Sequence, residues 1–309
     1  MHEALIRSLL VTTCLALITS CVTTDEYTPS ELVSTTKRTD GSTINWQLSL
    51  PSGAGSAPVL FIAQGSGCAP TGSNENIELL KPAMPEYAVL MIEKYGVEPG
   101  VTPEDPMNGC SNEYYENHTI TRRVDDAKLV LKDLRSRMLW DEQLILFGGS
   151  EGGAVVSILS HEIDDVDAAV VFSTGTGLTM AEFFPMVVPP TVAQQMQAVF
   201  DQARSNPMSP GVAGGNSLRW WADILDRRLS DDLLKSAAPI LLIHGENDRH
   251  APVAAARATK QAFADAGQAD RLTYWELADR DHQMRDEKGK SHMAEVFQDV
   301  AAWIHAEVR

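Results

Sequence analysis

Six short apolar runs recur along the chain: PVLFIA (58–63), YAVLMIE (87–93), QLILF (143–147), DAAVVF (167–172), PILLIH (239–244) and RLTYWEL (271–277). Nearly continuous runs of this length suit strands buried on both faces, the condition of a parallel sheet covered by helices. Helical segments lie between them. Thr119 to Leu139 carries Val124, Ala127, Val130, Leu131 and Leu134 on one stripe, and Ser291 to Val308 spaces Met293, Val296, Phe297, Val300 and Ile304 the same way. Pro252 to Ala266 is alanine-rich and stops at Gly267. Ahead of the runs, Thr43 to Leu50 follows an Asp40-Gly41 hairpin signal, with Leu32 to Arg38 as its partner. The alternation predicts an α/β fold: a mostly parallel eight-stranded sheet, doubly wound through right-handed crossovers, with helices on both faces.

One stretch breaks the rhythm. Residues 178–238 (Leu178 to Ala238) separate two consecutive strands where a single helix and short loops would do. The stretch reads as helical in pieces, Val192 to Ala203 and Leu218 to Leu229, cut by Pro185, Pro189, Pro190, Pro207 and Pro210. Its position, over the C-terminal ends of strands, is that of a helical lid insertion. Phe183, Phe184, Trp220 and Trp221 would give it an apolar roof or simply pack it. The formal charge of −17, from 42 acidic and 25 basic residues, argues against nucleic acid or anionic lipid surfaces as partners.

The first residues are a different kind of text. Arg7 precedes an apolar stretch from Leu9 to Ile18, too short to span a bilayer but suited to a signal-peptide core. Ile18-Thr19-Ser20-Cys21 resembles the bacterial lipoprotein signal, which implies a signal peptide over 1–20, lipidation at Cys21 and a tether over 21–31 leading to a domain at 32–308. The localisation that follows is the bacterial cell envelope, lipid-anchored; an ordinary secretory signal would instead give a soluble exported protein. Export leaves Cys68 and Cys110, once Cys14 departs with the signal. In an oxidising compartment they are natural disulfide partners, the other reading being two unpaired thiols. Neither has a second Cys or His at ligand spacing, so no metal site is expected.

The chemistry is concentrated in Gly148-Gly149-Ser150-Glu151-Gly152-Gly153, directly after the run QLILF. G-x-S-x-G between a strand and a helix sets a serine on a sharp bend, with glycines at 148 and 152 relieving backbone clashes. The helix N-terminus behind it presents unpaired N–H groups to a developing oxyanion. A serine hydroxyl needs a base, and the base needs an acid to orient it. Of the eight histidines, His282 lies in a polar loop after the last strand and before the last helix, able to swing back over the sheet edge. His118, His161, His292 and His305 read as surface or packing residues beside helices; His250 shares a loop with the best acid. That acid is Asp248, with Glu246, Asp279 and Asp281 as alternatives.

The segment His244-Gly245-Glu246-Asn247-Asp248 followed by Pro252, together with the order Ser150, Asp248, His282, resembles the α/β-hydrolases over nearly all of residues 32 to 308. The resemblance implies a catalytic triad of these three residues and an oxyanion hole formed by the backbone N–H groups of Glu151 and Ser66, with Gly67 as the alternative second donor. This chain has Gln64-Gly65 where the family commonly has His-Gly. A Cys68–Cys110 bridge would pin that loop and preorganise its donors. The implied activity is a serine hydrolase cleaving carboxylic esters of small molecules through an acyl-enzyme, with no cofactor. Carboxylesterase is preferred because no large N-terminal propeller of the oligopeptidase branch is present in the sequence. Ser-x-Gly-Gly at 150–153 also resembles that branch and the dienelactone hydrolases, so a peptidase is the first alternative. An envelope lipoprotein that keeps the fold only to bind is the other. The Glu151 carboxylate is not required by this scheme; it could face solvent, accept from Lys or Arg in the lid, or bind a cationic group of the substrate.

Overall fold

The computed structural model describes residues 30–308. The signal segment 1–20, the lipidation site Cys21 and tether residues up to 29 lie outside the described residues. In chain order the strands are β1 Ser30–Lys37, β2 Thr43–Leu50, β3 Ala57–Ala63, β4 Ala88–Ile92, β5 Trp140–Gly149, β6 Ala168–Phe172, β7 Val212–Ala213, β8 Asn216–Ser217, β9 Ile240–Gly245 and β10 Leu272–Leu277. The α-helices are α1 Glu75–Leu80, α2 Asn112–Asn117, α3 Ile120–Ser136, α4 Glu151–Glu162, α5 Met180–Val187, α6 Pro190–Ser205, α7 Leu218–Ile224, α8 Leu229–Leu233, α9 Val253–Asp265 and α10 Met293–Glu307.

Eight strands form one sheet in the order β1-β2-β4-β3-β5-β6-β9-β10, and only β2 runs against its neighbours. The fold is the α/β-hydrolase architecture expected from the sequence. Successive strand residues point to opposite faces, and both faces are dry. Val59, Phe61, Leu144 and Leu146 join a core with the stripe of α3 and with α4. Leu60, Ile62, Ile145 and Phe147 join a second core with α1 and α10. A strand with two buried faces must be apolar at every position, which is why these runs show no alternation.

Between β6 and β9 the chain forms α5, α6, the two-residue ribbon β7–β8, α7 and α8. Two details differ from the sequence reading. Pro185 sits inside α5 instead of ending a helix. Leu218 to Leu229 is two helices, because the chain turns after α7: Arg227 makes a paired hydrogen bond to Asp232, and Arg228 reaches back to Glu182. α1 and α2, of six residues each, are too short to show a helical period.

The hairpin is locked to α3 by a buried ion pair. Arg38 Nε and Nη2 each donate to the Asp126 carboxylate at 2.7 Å, and Arg38 Nη1 donates to the Thr43 carbonyl. Arg38→Met leaves that carboxylate buried and unpaired, so urea denaturation should show a loss of about 3–5 kcal/mol of stability. An unchanged midpoint would mean that Asp126 finds another partner.

Candidate functional site

Because β3, β5, β6, β9 and β10 run parallel, the loops after them all emerge at one edge of the sheet. The bend between β5 and α4 is the tightest of them. Ser150 holds φ 54° and ψ −122°, a left-handed setting that costs a non-glycine residue on the order of 1–3 kcal/mol. Its N–H donates to the Phe172 carbonyl at 2.9 Å, which fastens the bend to β6. A Cβ at position 148 would stand 2.2 Å from the Gly152 carbonyl oxygen, and one at 152 would stand 1.9 Å from the Ala63 carbonyl oxygen. Both glycines are required by backbone contact. Gly149, with nothing nearer than 3.8 Å, is not.

Asp248 and His282 meet across two neighbouring loops. His282 Nδ1 lies 2.7 Å from Asp248 Oδ2, while Asp248 Oδ1 accepts from the His250 and Ala251 N–H groups at 2.8 and 2.9 Å. Burial disfavours the Asp248 charge, but the His282 hydrogen bond and the two backbone donors outweigh it and hold the carboxyl below its ordinary range. An ionised carboxylate cannot donate, so the proton of this bond belongs to His282 Nδ1, and in the neutral ring the lone pair is then on Nε2. Gly245 makes the meeting possible: a Cβ there would be 2.4 Å from the Arg280 carbonyl oxygen and 2.7 Å from that of Asp281. Glu246 and Asp281 face elsewhere. Asp281 spends Oδ1 on the Gln283 and Arg285 N–H groups, and Glu246 is exposed. His250 stacks obliquely on His282 at 5.0 Å, and His244 Nε2 donates to the Ala251 carbonyl at 2.8 Å from a fully buried position.

Ser150 and His282 line two cavities together, one of about 240 Å³ towards α1 and α10, the other of about 610 Å³ under the inserted helices. Among the described residues no hydrogen bond joins Ser150 Oγ to His282; such bonds commonly tighten only when substrate is present. The larger cavity is walled by Phe183, Phe184, Trp220 and Trp221; of these, Phe184 and Trp221 pack on each other and on Phe200, and Trp220 packs on Trp221. Ser66 lies on this cavity with Ser150 and Glu151.

Cys68 and Cys110 form a disulfide, with an S–S distance of 2.07 Å. It ties the 64–68 loop to the segment after β4, where the Cys68 N–H also donates to the Pro106 carbonyl at 2.8 Å. Gly67, at φ +86°, packs so closely that a Cβ would be 2.6 Å from the Pro106 carbonyl oxygen.

The Glu151 side chain does not face solvent. It is buried, and Oε1 accepts from Arg123 Nη1 at 2.7 Å and from His118 Nε2 at 3.0 Å, with Lys94 Nζ at 3.8 Å. Burial works against the Glu151 charge, but His118, Lys94 and Arg123 together hold the carboxyl well below the usual range. Burial likewise pulls the Lys94 ammonium down, to about 7, against the attraction of Glu151. His118 is pushed below its ordinary value by burial and stacks on Tyr114 at 4.4 Å. The sequence reading missed all three partners. Arg123 lies outside the apolar stripe of its helix, His118 reads as a surface or packing residue, and Lys94 has no motif around it. The one signal was a carboxylate inside an otherwise glycine-walled bend. Among the described residues no cluster of three or more His, Cys, Asp or Glu could hold a metal ion.

The serine aminopeptidase S33 family model matches residues 109–288, more than half of the chain. No curated protein matches. Solved structures share the fold at low identity. Est1E from Butyrivibrio proteoclasticus, in its complex with ferulic acid, is 17% identical with a TM-score of 0.61, the alignment covering 89% of this chain and 99% of that one. The esterase domain of a Rhodothermus marinus protein is 17% identical with a TM-score of 0.58, covering 91% and 100%. A puromycin-hydrolysing peptidase of Mycobacterium tuberculosis is 15% identical with a TM-score of 0.64, covering 91% of this chain but 39% of the peptidase.

Gly152→Ala forces the bend and the end of β3 apart, and is expected to abolish folding or lower Tm by many degrees, readable by circular dichroism; Gly149→Ala in the same assay should change Tm far less. Cys110→Ser removes a cross-link between residues 42 apart in sequence. It is expected to lower stability by about 2–5 kcal/mol in urea and to raise hydrogen exchange at residues 64–68 relative to the rest of the sheet edge.

Proposed function

This chain belongs to the serine aminopeptidase S33 family of α/β-hydrolases, and we propose that within it the protein is a carboxylesterase acting through an acyl-enzyme on Ser150. The observation that carries this reading is the Asp248–His282 hydrogen bond of 2.7 Å on the same cavities as the strained Ser150. In the proposed reaction His282 Nε2 takes the Ser150 proton as Oγ attacks the substrate carbonyl. The negative oxygen is received by the N–H groups of Glu151 and Ser66, and the protonated imidazole returns its proton to the leaving alkoxide. Water then repeats the sequence on the acyl-enzyme. Asp248 fixes the tautomer and supports the imidazolium.

The cavity chemistry supports an ester over a free aminoacyl substrate. An aminopeptidase must bind a cationic α-amino group, which calls for a carboxylate with a free oxygen and room beside it. Among the described residues lining the larger cavity the one carboxylate is Glu151; Arg123 and His118 occupy its Oε1, and its Oε2, though without a hydrogen-bond partner, is buried and leaves no room for an ammonium beside it. The remaining charges there are Arg227 and Arg249. Apolar and aromatic walls favour an ester with an apolar acyl or alcohol part. We read α5 to α8 as a lid over that part. The family and the peptidase neighbour keep peptide cleavage as the second reading.

Export follows from the N-terminal signal resemblance, and lipidation would be at Cys21; the Cys68–Cys110 disulfide supports an oxidising compartment. A fluorophosphonate probe should label the wild-type protein and fail to label Ser150→Ala; an unlabelled wild type would favour a binding protein over an enzyme. Short-chain p-nitrophenyl esters should be hydrolysed with kcat/KM at least about tenfold above aminoacyl p-nitroanilides, a margin of about 1.4 kcal/mol. Faster turnover of the amides would replace the esterase reading with the peptidase one.

A further inference from the structure

The Glu151 carboxylate and its cations sit directly behind the 64–68 loop, and their contacts are with that loop's carbonyl oxygens. Lys94 Nζ donates to the carbonyls of both Gly65 and Gly67. Arg123 Nη2 donates to the Gln64 carbonyl at 2.6 Å while its Nη1 holds Glu151. Tyr114 adds its hydroxyl to the Gly67 carbonyl at 3.3 Å. Three of the loop's carbonyls are therefore gripped from one side, by groups anchored on β4's far end, α2 and α3.

A trans peptide unit is planar, with its C=O and N–H pointing in opposite directions. Fixing the Gly65 carbonyl on Lys94 thus aims the Ser66 N–H the other way, away from the charge cluster. Ser66 lines the cavity that holds Ser150, and Gly65 comes close enough to the bend that a Cβ on it would be 3.7 Å from Ser150 Cβ. In its ammonium form Lys94 also polarises the amide and strengthens its N–H as a donor.

We propose that Lys94, Arg123 and the Glu151 side chain are positioning residues for the oxyanion hole: Lys94 fixes the Gly65–Ser66 peptide from behind, Arg123 holds the preceding Gln64–Gly65 peptide, and Glu151 holds Arg123 directly with Lys94 close by. The proposal rests on the hydrolase reading above, and it gives Glu151 two tasks: its N–H is one oxyanion donor, and its carboxylate holds the cations that aim the other. Stability alone accounts poorly for this cluster, since buried ionic groups are usually matched or bettered by apolar residues of the same volume. Its contacts accumulate on the loop that carries the proposed second oxyanion donor.

Lys94→Met is the direct test, because it releases the Gly65 carbonyl, and leaves Gly67 to Tyr114 alone, while keeping the Arg123–Glu151 pair intact. After titration of active sites with a phosphonate, kcat for a short-chain ester should fall about 10–100-fold, less than the loss of a whole donor, with KM changed less than about threefold. Affinity for a trifluoromethyl ketone, which binds as an oxyanionic adduct, should weaken in parallel with kcat/KM; affinity for the unfluorinated ketone should not. Lys94→Gln, which keeps one N–H donor, should recover part of the loss. If Lys94→Met does not fold, Arg123→Lys carries the same readouts, since an ammonium cannot bridge Glu151 and the Gln64 carbonyl as the guanidinium does. A folded variant with unchanged kcat, or with lowered kcat but unchanged fluoroketone affinity, would overturn the positioning role. A wild type that takes no phosphonate would overturn the hydrolase reading itself, whereas a labelled wild type with indifferent variants would remove the positioning role alone.

Discussion

The start of α4 lies against the end of β3 with no room for a side chain between the two backbones. A Cβ on Gly152 would sit 1.9 Å from the Ala63 carbonyl oxygen, so the helix can approach only as glycine. Much follows from that approach. It forces the bend that gives Ser150 its left-handed backbone, and it brings the loop after β3 beside the serine. It also drives the next side chain, Glu151, inward beneath that loop instead of out to water. A carboxylate carried inward must be met by cations, and the chain supplies them from the end of β4 and the start of α3.

The site is thus built from two kinds of device. One is steric: glycines at 148, 152 and 245 let backbones pass where any other residue would separate them. The other is electrostatic: carboxylates at 151 and 248 each hold a partner in a chosen orientation, one reaching the Gly65–Ser66 region through cations, the other reaching His282 directly. Burial opposes the charge of both carboxylates, and in both the partners prevail.

How much of this was legible in the sequence depended on distance along the chain. The central strands declared themselves because burial on both faces leaves no polar position in PVLFIA or in PILLI before His244. Ser150 and Asp248 stand inside short patterns whose glycines have local steric reasons, and His282 follows from the order of elements. The Glu151 cluster was hidden because its members come from 94, 118, 123 and 151, four places with no shared period or motif. Arg123 on α3 looks like any solvent-facing charge until the loop carbonyl above it is known. The break between α7 and α8 was equally invisible, since it depends on Arg227 and Arg228 finding Asp232 and Glu182 in space.

The inserted helices share one continuous apolar core with the sheet: Phe200, Trp220, Trp221 and Leu233 belong to the same cluster as Val155, Leu159 and Leu146. A flap that swings as a unit would have to expose that core, so access to the larger cavity is more naturally a matter of side chains such as Phe183 and Phe184 changing rotamer. The same aromatic residues therefore set both the width of the cavity and the cohesion of the domain. A substitution that widens the cavity at Phe184, Trp220 or Trp221 therefore also removes packing from the core shared with the sheet.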